Sequence, residues 1–223
     1  PATLPTESGF GRVRAIEWGD GDYLAVGSEQ SDSNFGMPAA WHYADTGPWM
    51  AIDPPPEAQN LDDVIYGPDP NTYTVAGTTT DFRAAVWRLT GGTEWSDPIA
   101  LPAGVDQIAL TLLDAHTVLS LNALWEEDEA GEWHFTPLLT GVEAYAGVLL
   151  EDGVVVFGSS RDSNDNPEVA VLAAGADRRW VPIEFDPTDR RKLIRSAVLF
   201  GDRVIAVGDA VWMGPDSIED YLR

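Results

Sequence analysis

Five short segments of this chain occupy equivalent places in a repeat: AVGS (Ala25–Ser28), VAGT (Val75–Thr78), LSLN (Leu119–Asn122), VFGS (Val156–Ser159) and AVGD (Ala206–Asp209). Recurrence at a steady period restricts the fold more than any local signal, because it demands a repeating architecture. Three further columns run in step with it. Trp49, Trp95, Trp133 and Trp180 each follow a turn, at spacings of 46, 38 and 47 residues. An apolar pair precedes each such turn: Ala40-Trp41, Val86-Trp87, Leu124-Trp125, Val171-Leu172 and Val211-Trp212. The last column has apolar residues three apart: VRAI (Val13–Ile16), LDDV (Leu61–Val64), VDQI (Val105–Ile108), VEAY (Val142–Tyr145) and IRSA (Ile194–Ala197).

The stretch from Tyr73 to Pro102 shows what one unit contains. Tyr73–Thr78 alternates and meets a polar loop, Arg83–Leu89 alternates and meets Gly91-Gly92, and Trp95–Leu101 ends at Pro102. Period-two alternation between Gly, Asp, Asn and Pro turns predicts β-strands. Each unit therefore reads as four strands, A to D, over about 12–53, 61–102, 105–140, 142–186 and 193–223. A four-stranded repeat of roughly 40–45 residues is the length of a propeller blade. One such sheet cannot bury both of its faces, whereas a ring of sheets covers them and leaves short edges. The expected fold is all-β: a single domain over residues 1–223, a five-bladed β-propeller with four antiparallel strands per blade. Unit five lacks a clear fourth strand. Ala2–Pro5 (ATLP) reads like the end of a D strand such as Ile99–Pro102 (IALP), so it is expected to complete the last blade and close the ring. Helix is expected only around 217–222 or 189–195, and Asp53–Glu57 (DPPPE) reads as a stiff loop.

The combination of AVGS, the AVW triplet (Ala85–Trp87) and a turn closed by tryptophan resembles the sialidase-like, Asp-box type of propeller repeat found in bacterial extracytoplasmic proteins. The box places Asp and Gly in the C–D turn before the tryptophan. Here it is degenerate in DTGPW (45–49), TGGTEW (90–95), DEAGEW (128–133) and GADRRW (175–180). In that family the box is a structural turn, so the resemblance implies a fold and not a reaction. No unit ends in the Gly-His and Trp-Asp pairs of WD repeats, and no Gly-Gly doublet closes strand B as in kelch repeats.

Charge limits the partners. Thirty-seven acidic residues against 13 basic ones give a formal net charge of -24, and Lys192 is the sole lysine. Such a surface repels phosphate backbones and anionic lipid, so nucleic acid and membrane insertion are not expected. The chain has no cysteine, hence no disulfide, thiol chemistry or Cys-based zinc site. No apolar run has the length of a transmembrane helix. The opening residues lack the features of a signal peptide, which is absent or was removed before Pro1. With the resemblance, these features point to a secreted, periplasmic or cell-surface protein.

In a propeller the D–A and B–C loops share one face. Two B–C loops there are long and polar, Ser28–Gly36 and Ser159–Glu168. The second contains Asp162, Asn164 and Asn166 at alternate positions, the opening of a calcium-loop pattern. Pro167 stands where that loop needs glycine and Ala173 where it needs glutamate, so a solvated turn without a metal is expected, with calcium as the weaker alternative. The column of apolar pairs gives the sharper constellation. The residue after its first apolar position is Arg14, Asp62, Asp106, Glu143 or Arg195, and five blades would bring these to one channel mouth. Such a ring suits a polar ligand, protein or carbohydrate. Alternatively, Asp62, Asp106 and Glu143 would supply acid and base for glycoside chemistry. The sialidase resemblance would further need an arginine cluster and a tyrosine beside a carboxylate, for which Arg14, Arg195 and Tyr145 are available.

The other chemistry-bearing residues read as structural. His42 lies in the first unit and His116 and His134 in the third, without ligand spacing, and His42 and His134 are expected at exposed turn positions. Eight of nine tryptophans fall at repeated strand positions, leaving Trp18 as the candidate exposed platform. Ser28 and Ser159 follow glycine, but no His–Asp pattern accompanies them. The basic run Arg190–Lys192 reads as a counter-charge to Asp186 and Asp189. The functional expectation is a non-catalytic binding or interaction module without a cofactor, with a glycosidase- or sialidase-like enzyme as the alternative.

Overall fold

A computed structural model describes residues 5, 11–30, 36–44, 47–67, 69–102, 109–161, 166–183, 194–201, 203–209, 211–215 and 218–222. Among them the chain forms antiparallel sheets and one four-residue helix, α1 (Ile218–Tyr221). The first sheet has the order β1 (Gly11–Gly19), β2 (Asp22–Glu29), β3 (Met37–Ala44), β4 (Met50–Ile52). The second runs β5 (Ala58–Tyr66), β6 (Thr72–Thr79), β7 (Ala84–Thr90), and then two fragments pair with β7: β8 (Glu94–Trp95) and β9 (Ile99–Ala100). The third is β10 (Thr111–Asp114), β11 (Thr117–Leu119), β12 (Ala123–Glu127), β13 (Trp133–Pro137). The fourth is β14 (Glu143–Leu150), β15 (Gly153–Arg161), β16 (Pro167–Gly175), β17 (Val181–Pro182). The fifth has three strands, β18 (Ile194–Phe200), β19 (Arg203–Gly208), β20 (Val211–Pro215). Each sheet is a meander in chain order, A to D.

Two compact units result. Unit one is Pro1–Val118 with Glu127–Trp133, unit two is Leu119–Glu126 with His134–Arg223, and the third sheet has strands in both. In unit one Leu24, Val26 and Ala40 of the first sheet pack on Leu61, Val64, Tyr73, Val75, Ala85, Trp87 and Leu89 of the second. In unit two Phe157, Val155 and Val171 of the fourth sheet meet Val204, Ala206 and Ile194 of the fifth, with Tyr221 of α1. Phe157 meets Trp212 edge to face at 5.3 Å, a geometry that adds to the area both rings bury. The inner strands β6 and β15 are buried on both faces over most of their length. Their apolar residues therefore run nearly unbroken rather than alternating.

Four of the tryptophans share a task, whereas the buried Trp133 Nε1 has no hydrogen-bond partner among the described residues. Buried indoles need an acceptor, and the chain leaving the preceding D strand supplies it. Trp87 Nε1 donates to the Pro56 carbonyl at 3.1 Å, Trp95 to that of Asp53 at 2.7 Å, and Trp180 to that of Pro137 at 3.0 Å. Trp41 of the first sheet donates to Pro5 O at 2.8 Å. Pro5 thus stands to the first sheet as Pro56 stands to the second. Residues 2–4, expected as the last blade's fourth strand, lie outside the described residues. So do residues 189–193 of the second helix candidate, while Ile194 already opens β18.

One irregularity recurs and builds the site. The first-to-second strand register breaks at an equivalent place in four sheets, and β5 has a second break between Ala58 and Asn60. Val13 pairs with Gly27 and Ala15 with Val26, leaving Arg14 as an extra residue. Leu61 pairs with Gly77 and Asp63 with Ala76, leaving Asp62. Ala144 pairs with Gly158 and Ala146 with Phe157, leaving Tyr145. Ile194 pairs with Gly208 and Ser196 with Val207, leaving Arg195. A bulge bends the strand and re-aims the unpaired side chain. At Gly27, Gly77 and Gly158 the glycine is obligatory because the bulge drives a backbone carbonyl into the space of its Cβ. At Gly27 that atom would lie 1.9 Å from Arg12 O, and at Gly77 2.1 Å from Asn60 O.

Candidate functional site

The bulges correct the sequence alignment of the fourth unit. Aligned by their glycines, Ala144 corresponds to Val13, Leu61 and Ile194, so the bulged residue is Tyr145 and not Glu143. Glu143 lies two residues earlier, opposite Ser159. The apolar-pair column slipped by two there because Val142 and Ala144 are both small apolar residues, and only pairing to Gly158 separates them.

In unit one, Arg14 and Asp62 are brought together as a salt bridge between neighbouring bulges. The Asp62 side chain is only 5% exposed, against 33% for Arg14. Burial raises the Asp62 carboxyl above its usual range, while Arg14 and the Leu110 amide pull it down. The next residue, Asp63, was not singled out by sequence. It accepts from Leu112 N at 2.8 Å and Val64 N at 2.9 Å, joining β5 to β10. Burial pushes its carboxyl up to about 6 against those two donors, with Asp62 and Glu17 adding to the rise. Asp106 lies outside the described residues.

In unit two, Tyr145 carries the geometry. Its phenol lies 3.0 Å from Glu143 Oε2 and 3.0 Å from Ser159 Oγ. Ser159 is buried and Glu143 exposed. These groups line a cavity of about 500 Å³ with Asn122, Thr140, Gly141, Val142, Ser160, Arg161 and Pro167. Its walls come from the B–C turn of the third sheet, the D–A connection into β14 and the strand ends flanking the B–C loop of the fourth sheet. Val142 and Pro167 are its apolar side chains beside the Tyr145 ring. Arg195 is exposed at the bulge of β18. Of the loop candidates, Ser28–Gly36 is described only at its two ends, and of the calcium-type positions only Asn166 is described, where it is exposed.

The histidines differ from expectation in one case. His42 is buried, because Asp22 Oδ2 lies 2.6 Å from its Nε2 and Gly92 covers its ring. The Tyr73 phenol joins the same aspartate, and burial with that hydrogen bond raises its pKa. This network ties the A–B turn of the first sheet to the second sheet. His116 Nδ1 meets Glu127 at 2.8 Å, beside Arg88, and His134 is exposed. Trp18 is 59% exposed on β1. In unit two Arg178 grips both carboxylate oxygens of Glu126, at 2.8 and 2.5 Å.

No family model matches the chain, and no curated protein sequence does. Solved structures do. The chain is similar to a protein described as YjhT, with a TM-score of 0.59 at 10% identity over 87% of this chain and 77% of that one. It is similar to a Trypanosoma rangeli sialidase in complex with 2,3-difluorosialic acid, with a TM-score of 0.54 at 14% identity, over 94% of this chain and 49% of the sialidase. It is similar to YCF48 bound to a D1 peptide, with a TM-score of 0.51 at 12% identity, over 97% and 82%. The chain thus spans about half the sialidase and about three quarters of YjhT. At these identities the likeness concerns the fold, and that fold is the sialidase-like β-propeller type.

Proposed function

We propose that this chain is a non-catalytic binding module of an extracytoplasmic protein, holding a carbohydrate or protein ligand on its D–A and B–C loop face. The observation that carries this reading is the unit-two cavity, whose walls come from those connections and converge on Tyr145, Glu143 and Ser159. Concave sites with a few placed polar groups are the usual form of a ligand site. A secreted, periplasmic or cell-surface location follows from the resemblance of the repeat to extracytoplasmic propellers. The protein neighbours include one bound to a peptide and one bound to a sugar derivative, and function on a shared fold resides in the site.

The reading includes a single five-bladed ring closed by the N-terminal strand, built on degenerate Asp-box repeats. Two features support closure. Pro5 occupies the acceptor position for Trp41 that Pro56 occupies for Trp87. In addition, the fifth sheet has a bare apolar face, with Val198 56%, Phe200 73%, Val211 70% and Met213 62% exposed, and the first sheet has Ile16 at 53%. Apolar faces of that size call for a covering partner.

A glycoside-active enzyme is the second reading, favoured by the phenol–carboxylate pair of Tyr145 and Glu143. Against it stands Asp62, whose carboxylate is engaged by Arg14. The test is a glycan and peptide binding screen run beside hydrolysis assays, for the native chain and a variant with Asp62→Asn, Asp106→Asn and Glu143→Gln. Saturable binding without turnover supports the module. Turnover that the triple variant loses overturns it in favour of the enzyme.

A further inference from the structure

Deepening that reading, and resting on it, we infer that the unit-two cavity takes a neutral polyhydroxylated ligand of about one sugar ring, and that Glu143 makes it reject the anionic counterpart. A carboxylate has acceptor sites only, so the Tyr145 O–H donates to Glu143 Oε2. The phenol has a single proton, so Ser159 must donate to the Tyr145 oxygen at 3.0 Å. The chain of bonds therefore runs Ser159 to Tyr145 to Glu143. It leaves acceptor capacity at both ends, on Ser159 Oγ and on Glu143 Oε1.

A ligand that reaches these ends must bring donors. The rest of the wall offers an amide at Asn122 and hydroxyls at Thr140 and Ser160, groups that include donors. Hydroxyl groups donate and accept at once, so a ring carrying several of them meets both ends of the wall. An ammonium would satisfy Glu143 but would enter beside Arg161. A carboxylate or sulfate reaching the Tyr145–Glu143 end would bring like charges to contact distance, which is unfavourable even beside an exposed carboxylate. The volume of about 500 Å³ holds a hexose ring with room for a glycosidic neighbour. Its nearly even mix of polar and apolar lining separates it from the mostly apolar sites that take drug-like molecules.

The test uses matched probes: methyl β-glycosides of glucose, galactose and mannose, the methyl β-glycosides of glucuronic and galacturonic acid, and a lysine-rich hexapeptide. Each is titrated at pH 7 by protein-observed NMR and calorimetry. At least one neutral glycoside saturates, and its uronate binds about tenfold more weakly, the cost of one unfavourable charged contact. Glu143→Gln narrows that gap to about threefold or less. Ser159→Ala weakens the neutral probe by roughly tenfold, and Tyr145→Phe does the same by breaking the chain of bonds. Both keep the native melting transition, which separates loss of the site from loss of the fold.

Equal or tighter binding of the uronate, or binding that none of the three substitutions changes, overturns the inference. If the uronate or the peptide saturates instead and Ser159→Ala abolishes it, the module reading stands and the neutral class is wrong. If no probe saturates, this inference is overturned. The broader reading is then decided separately by its own glycan and peptide screen.

Discussion

A Cβ placed on Gly158 would stand 2.1 Å from the Glu143 carbonyl oxygen and 2.9 Å from Ala144 Cα. The glycine that marks the repeat and the residue before the bulge are thus locked to each other. The same approach joins Gly27 to Arg12 and Gly77 to Asn60.

Gly158→Ala is expected to force the bulge open. Overpacking against backbone costs about 1–3 kcal/mol, and no flexible side chain is there to yield. Gly175→Ala is the control, because its Cβ would meet only Leu222 at 3.8 Å, and its effect should stay within about 0.5 kcal/mol. Urea denaturation of both variants measures the difference. Equal stabilities would show that the bulge does not require glycine. Gly158→Ala should also perturb the Tyr145 resonances, since the bulge aims that ring.

Removing Arg14 should matter more at neutral than at acid pH. The Asp62 carboxyl is already raised by burial even with Arg14 beside it. A raised carboxyl contributes stability that is present below its unfolded pKa and lost as pH rises through the folded one. Arg14→Met deletes the nearby positive charge and raises Asp62 further, so the loss deepens with pH. The cost at pH 7.5 should reach about 2–4 kcal/mol, the range for stranding one partner of a largely buried pair, reduced for the exposure of Arg14. At pH 4 it should fall to about 1 kcal/mol, where protonation can relieve the stranded carboxylate. Thermal or urea denaturation at both values checks this, and Asp62→Asn together with Arg14→Met should abolish the difference.

Asp63 gives a pH dependence of the same sign. Its carboxyl titrates at about 6 in the folded chain, above the value near 3.9 of an unfolded aspartate. Stability is therefore greatest below about pH 4 for this group and declines as pH rises to about 6, by at most roughly 3 kcal/mol. Asp63→Asn removes that slope. At pH 7 it also loses one of the two carboxylate oxygens that accept from Val64 and Leu112, since an amide offers a single acceptor oxygen. A stability profile from pH 4 to 7 that stays equally steep in Asp63→Asn would assign the slope to another group.

Phe157→Ala tests the core of unit two. The ring is wholly buried against Trp212, and its truncation should cost about 3–5 kcal/mol through lost transfer energy and a residual cavity. Phe157→Leu should cost less, since it keeps most of the volume. The ratio of the two losses, read from urea midpoints, reports how rigidly the fourth and fifth sheets meet.

Much of the β-architecture was legible because a period of two and a recurring glycine are local features, enforced by pleat geometry and carbonyl sterics wherever the segment folds. Sequence alone identified all-β units joined by turns, Trp41, Trp87, Trp125 and Trp133 as core, and the acidic composition. It also marked Gly27, Gly77, Gly158 and Gly208 as one column without giving the reason. Only pairing across strands decided which residue opposite each glycine is left over. That is why Tyr145 took the place read for Glu143, while Arg14, Asp62 and Arg195 kept theirs. Burial was likewise a tertiary matter. His42 looked like a surface turn residue, yet Asp22 and Gly92 enclose it. Asp63 looked like the lesser of two adjacent aspartates, yet its environment depends on Leu112, 49 residues away. Residue type and spacing set which side chains a strand can offer, whereas register and neighbouring sheets determine where each one points and how much water it keeps.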